Sequence, residues 1–166
     1  MRRESPGISD RAVFLALSEL LPWPRNYRQH PAEQLSAICR SLSENGQYRP
    51  ILVQASSKRI IAGHGVVEAA RALKWKEIEC LELEVSDSEA ERLLVDDNEM
   101  SRLSTQDDAA LLGILTDLLG SESEPYSYRP GELEEMMAGL EAPALEVDEK
   151  EAKAVGVKCP RCGHEF

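Results

Sequence analysis

Apolar positions along the chain fall into short runs near the N-terminus and into stripes at helical spacing after them. Val13-Phe14-Leu15-Ala16-Leu17 is a compact apolar run and predicts a buried strand. Pro22 and Pro24 then stop regular structure, because each ring fixes its own φ and restricts the residue before it. Leu35, Ile38 and Leu42 recur at three- and four-residue intervals between Pro31, suited to a first helical turn, and Gly46, suited to a stop. Ile51-Leu52-Val53 and Arg59-Ile60-Ile61-Ala62 flank the turn Ser56-Ser57-Lys58 and predict a hairpin. A helix follows Gly63, with Val67, Ala70 and Leu73 on one side. Residues 78–85 mostly alternate apolar with acidic, the pattern of a half-exposed strand.

The C-terminal half reads as helical. Ser86-Asp87-Ser88-Glu89 forms a capping box, and Ala90, Leu93 and Leu94 give the helix behind it an inner face that runs into Asp96-Asp97-Asn98-Glu99. Leu111, Leu112, Leu115, Leu118 and Leu119 form the stripe of another helix that Gly120 ends. Leu133, Met136, Met137 and Leu140 mark a last short one. Residues 1–11 are polar and predict loose chain. Residues 141–157 form an acidic linker with little to bury. The expected organisation is a domain over 1–103, a helical extension over 104–140, that linker, and a Cys-rich tail over 158–166.

Composition sharpens this reading in two ways. With two Phe, four Tyr and two Trp in 166 residues, the core must be mainly aliphatic. No apolar run approaches the roughly 20 residues of a membrane span, and no signal peptide or disulfide framework is visible, so the expected location is the cytoplasm. The net charge of −11 is unevenly spread. Residues 1–75 carry 11 Lys and Arg against 6 Asp and Glu, and residues 76–166 carry 8 against 24. Phosphate neutralisation supplies most non-specific affinity for DNA, so any DNA contact is expected from the N-terminal half.

Gly63-His64-Gly65 sits where the predicted strand turns into the predicted helix. Two readings stand. The glycines serve a tight turn, or the free N–H groups and the positive end of the helix dipole form an anion or phosphate site. Arg25-Asn26-Tyr27-Arg28 is a solvated loop or an anion-facing one.

Four stretches together resemble the ParB family's N-terminal domain: 21–28 (Leu21-Pro22-Trp23-Pro24 through Arg28), 42–53 (Leu42 through Arg49-Pro50 to Val53), 61–70 (Ile61-Ala62-Gly63-His64-Gly65 onward), and Asp96-Asp97-Asn98-Glu99. They fit in order over roughly residues 12–103, as in phage or prophage members that carry this domain alone. The resemblance implies a ParB/sulfiredoxin-like α+β fold, a small mixed β-sheet with packed helices, followed here by C-terminal helices and a short Cys-rich tail. It implies a nucleotide, CTP or ATP, held by Asn26, Arg28, Gly63, His64 and Gly65, with Asp97 and Asn98 near a Mg²⁺. Mg²⁺ suits that chemistry, since it takes one or two protein oxygens together with phosphates and water.

The family's central motif usually carries one or two Arg directly after its Gly-rich start, where this chain has Gly65 and Val66. Arg71 lies one helical turn beyond Val67. The family's sulfiredoxin branch places its Cys nucleophile where this chain has His64, which excludes that activity.

Cys159, Cys162 and His164 have the spacing of one zinc knuckle. A full site needs a fourth ligand, from Cys39, Cys80, the terminal carboxylate or a second chain; a plain tail or a redox dithiol are the alternatives. The implied function is nucleotide and Mg²⁺ binding in a DNA-associated process, such as partition, packaging, replication or modification of phage or plasmid DNA. The alternatives are an adaptor that binds a partner protein through its acidic helices and Cys-rich tail, or associates with itself through that tail, and a DNA nuclease. No helix-turn-helix follows residue 104, where the loop between helices exceeds the usual three or four residues.

Overall fold

The computed structural model describes residues 7–8, 12–118, 127–128 and 131–141. Within these residues five strands make one mixed sheet: β1 (Gly7–Ile8), β2 (Val13–Ala16), β3 (Ile51–Gln54), β4 (Ile60–Ala62) and β5 (Glu77–Glu84). Among the described residues five helices accompany it: α1 (Ala32–Asn45), α2 (His64–Ala72), α3 (Asp87–Leu103), α4 (Asp108–Leu118) and α5 (Glu132–Glu141). The fold is thus α+β with a mixed sheet, as the resemblance implies. β5 is the centre of that sheet. β1 and β2 both pair antiparallel with β5, β3 pairs parallel with it, and β4 closes the hairpin with β3.

The sheet is covered on both faces. Successive side chains of a strand point to opposite sides, and Ile60 and Ile61 of β4 enter two different clusters. Ile60 packs with Leu42, Ile51, Val53, Val67, Ala70, Ile78 and Cys80, the cluster that α1 and α2 complete. Ile61 packs with Trp23, Leu83, Ala90 and Leu94, the cluster that α3 completes. Trp23 is the one aromatic among the buried core residues described, so the aliphatic core expected from composition is what forms. The Ser86–Glu89 capping box forms, with the Ser86 hydroxyl taking the Glu89 N–H and the Glu89 carboxylate taking the Ser86 N–H at 2.9 Å.

Two features depart from the sequence-based expectation. Gly7–Ile8, expected to be loose, pairs with Glu84 and Leu83 of β5; two residues carry no periodicity, and the open edge of β5 supplies the order. Strand 77–84, by contrast, is half-exposed as expected: Ile78, Cys80 and Leu83 are buried, and the acidic residues between and beside them are half-buried or exposed. The segment at Pro22 leaves room for an isolated parallel bridge between Leu21 and Arg59. Residues 119–126 and the tail carrying Cys159, Cys162 and His164 lie outside the described residues, as does the linker. Among the described residues no helix is long and apolar enough to cross a membrane.

Candidate functional site

The turn from β4 into α2 is set by Gly63. Its φ of 100° lies in the left-handed region, which costs an L-residue about 1–2 kcal/mol. A Cβ there would also come within 2.6 Å of the end of the Ile51 side chain. Intrahelical bonding begins only with the Val66 and Val67 N–H groups, which both donate to the Gly63 carbonyl. The His64 and Gly65 N–H groups precede that point and have no helical acceptor. Gly65 is needed for a different reason: a Cβ would meet the His30 ring at 2.9 Å, so its bareness lets the start of α1 approach α2.

His64 is 8% exposed, and its Nε2 accepts the Trp23 N–H at 3.3 Å, which leaves the ring proton on Nδ1. Burial, with the neighbouring His30 adding to it, lowers its pKa to about 4. His64 is therefore a neutral structural acceptor at neutral pH, joining the Trp23 loop to the α2 start, and brings no positive charge to an anion.

A cleft of about 690 Å³ opens beside this turn. Gly63 and Val66 form one side, Ile38 and Ser41 of α1 another, and residues 47–50 its rim, with Asp97 of α3 opposite. Of the residues singled out in the sequence, Gly63 and Asp97 line the cleft. Asn26, Arg28, His64, Gly65 and Asn98 do not. Asn26 is spent on its own loop: its Oδ1 accepts the Arg28 N–H at 3.2 Å and its Nδ2 donates to the Arg28 carbonyl at 3.3 Å. The Arg28 guanidinium donates to the Asn98 carbonyl at 3.1 Å, and the Asn98 amide donates to the Leu94 carbonyl at 2.9 Å. These residues latch the 24–30 loop to α3.

Arg71 is also committed. Its guanidinium donates to the carbonyls of Leu17 and Leu20, at 3.1 and 2.8 Å, and holds the chain after β2.

The cleft contains residues that sequence reasoning left without a role. Tyr48, 77% exposed, and Arg49 stand at the rim. Gln47 fastens that rim to β5: its amide donates to the Glu79 carbonyl at 2.8 Å and to the Arg49 carbonyl at 3.0 Å, and its oxygen accepts the Glu79 N–H at 2.8 Å. The one local signal was Arg49-Pro50 ahead of a strand, since a residue before proline is held extended.

The basic N-terminal half is less free than its charge suggests. Arg25 pairs with Glu91 at 2.9 Å, Lys58 with Glu82, and Arg59 with Asp87 at 3.8 Å while stacking over Trp23. Each acid comes from the acidic half. Exposed pairs of this kind stabilise by about 1 kcal/mol or less, but they take three cations out of any uniform basic surface. Cys80 is fully buried and its thiol is pushed up to about 11, first by that burial, so it is inert as a nucleophile. Among the described residues no three His, Cys, Asp or Glu side chains gather as a metal site.

No known family profile matches the chain. It is 37% identical over 68 residues to the ParB-like nuclease domain-containing protein YnaK of Escherichia coli K12, a match spanning 41% of this chain and 77% of that one. The C-terminally truncated chromosome-partitioning protein ParB of Caulobacter crescentus, solved with CTP-γ-S, superposes with a TM-score of 0.66 at 18% identity over 81% of each chain. A pNOB8-like ParB N-domain aligns at a TM-score of 0.49 and 16% identity, over 68% of this chain and 47% of that one. At 18% identity the Caulobacter superposition speaks for the fold.

Proposed function

The chain belongs to the ParB-like domain family, and from that premise we propose that it binds a nucleoside triphosphate, CTP or ATP, with Mg²⁺ and serves a DNA-associated process. The observation that carries this reading is the cleft at the start of α2. Its floor is apolar, with Ile38, Leu42, Ile51 and Val66, and suits a base or sugar. The start of α2 adjoins the cleft through Gly63 and Val66 and brings the positive end of its dipole there, which suits phosphate. Asp97 supplies a carboxylate oxygen for Mg²⁺, which would complete its shell with phosphate oxygens and water. The CTP analogue held by the ParB neighbour agrees in chemical class with that donor set.

In this reading the roles shift among the residues named from the sequence. Gly63 acts through its backbone at the cleft, and Gly65 by giving the His30 ring room against α2. His64 acts by holding the turn against Trp23, and Asn26 and Arg28 by holding the loop against α3. Titration calorimetry of the full chain with CTP and with ATP, each with and without Mg²⁺, tests the proposal. Micromolar, Mg²⁺-dependent binding of one nucleotide is expected. Absence of heat or competition up to millimolar ligand for both would overturn it.

A further inference from the structure

We infer that Arg49 is the side chain that takes the anionic end of the ligand in this cleft, an inference that rests on the nucleotide reading above. A triphosphate buried beside apolar walls needs a cation, because the N–H groups of one helix start carry only about half a charge. The start of α2 offers none: its first turn holds His64, Gly65, Val66 and Val67, and the histidine is neutral. The other arginines near this end of the molecule are committed elsewhere. Arg71 is bound by the Leu17 and Leu20 carbonyls, Arg28 by the Asn98 carbonyl, Arg25 by Glu91 and Arg102 by Glu99.

Arg49 differs from all of these. Among the described residues that line the cleft it is the one cation. Its guanidinium has no carboxylate or carbonyl partner among the described residues. Its backbone, by contrast, is held. The Gln47 amide ties the Arg49 carbonyl, and through Glu79 the strand β5, while Pro50 narrows the backbone angles open to Arg49. An unpaired guanidinium on a held backbone at the mouth of a cleft is available for bidentate contact with phosphate. Asp97, the acid lining the same cleft, forms no ion pair with it and is left for the metal.

The test compares the full chain with Arg49→Ala, Arg49→Lys and, as a charge control away from the cleft, Arg92→Ala. Binding of CTP, ATP and the nucleosides cytidine and adenosine is measured with Mg²⁺ at several salt concentrations. Arg49→Ala is expected to weaken the bound triphosphate by about 10- to 100-fold, the range for a hydrogen bond to a charged group. It should flatten the salt dependence and leave nucleoside binding within about twofold. Arg49→Lys should recover part of the loss, since it keeps the charge without the fork. Arg92→Ala should match the parent. Unchanged triphosphate affinity in Arg49→Ala, in a parent that binds, would overturn the inference and leave the nucleotide reading standing. Equal losses for triphosphate and nucleoside would overturn it too, by showing that Arg49 only shapes the pocket. A parent that binds neither nucleotide removes the nucleotide reading itself, and the inference with it.

Discussion

Consider replacing His64 by glutamine and following the unfolding free energy of both proteins from pH 7.5 down to pH 4. In the folded chain His64 is buried, accepts the Trp23 N–H, and titrates near 4 rather than at the ordinary 6.5. Between those values the unfolded chain holds a proton that the folded chain refuses. Stability therefore rises with pH across this window and is lost as pH falls through it. Each pH unit within the window is worth about 1.36 kcal/mol. At pH 5, about 1.5 units below the ordinary value, the histidine has cost about 2 kcal/mol relative to pH 7.5, and by pH 4 about 3 kcal/mol. Below that the loss levels off, because both states are then protonated.

The carboxylates also titrate in this range, but they are common to both proteins, so the difference between the two curves isolates His64. The glutamine side chain would offer an acceptor to the Trp23 N–H and has no proton to gain. Urea unfolding at each pH, read by Trp fluorescence, gives the curves. The variant is expected to start lower at pH 7.5 and to converge on the parent, or cross it, by pH 4.5. Parallel curves would refute the reasoning, as would an imidazole NMR titration that places the His64 midpoint above 6.

Other expectations follow from single contacts. Gly63→Ala should destabilise by at least about 1–2 kcal/mol from its left-handed backbone, since the new Cβ would also come within 2.6 Å of the buried Ile51 side chain; a denaturant midpoint equal to the parent's would contradict the geometry. Gln54→Leu should cost about 2–3 kcal/mol, because Gln54 is buried while donating to the Val85 carbonyl at 3.0 Å and to Asp87 at 2.9 Å and accepting from Ser57; thermal melts would read it, and a neutral change would mean water replaces the amide. Cys80 should resist iodoacetamide at pH 8 in the folded protein and react once urea unfolds it, as read by peptide mass; rapid labelling of native protein would contradict its burial and raised pKa.

The local elements of this chain were legible without any structure because their causes are local. The stripe Leu35, Ile38 and Leu42, the Ser86–Glu89 box, and the two runs around Ser56-Ser57-Lys58 are each written within a turn or two of backbone. The turn at Gly63 was legible for the same reason, since a glycine between a strand and a helix signals a left-handed residue. The N-terminal pairing of Gly7 and Ile8 was not, because two residues carry no period and their order comes from β5, more than seventy positions away.

The roles of the polar and charged residues belonged to tertiary structure throughout. Sequence spacing put Arg71 near the α2 start, and only the packed chain spends it on the Leu17 and Leu20 carbonyls. Arg28 reaches a carbonyl seventy residues on, and His64 is held neutral by its burial, with the neighbouring His30 adding to it. Gln47 and Arg49 came to the cleft through bonds to Glu79 on another strand. Hydrophobic period and capping chemistry act between near neighbours and are therefore written in the sequence. A side chain's partner, its burial and the charge it keeps depend on groups about 30 to 70 residues away, and only the fold brings those together.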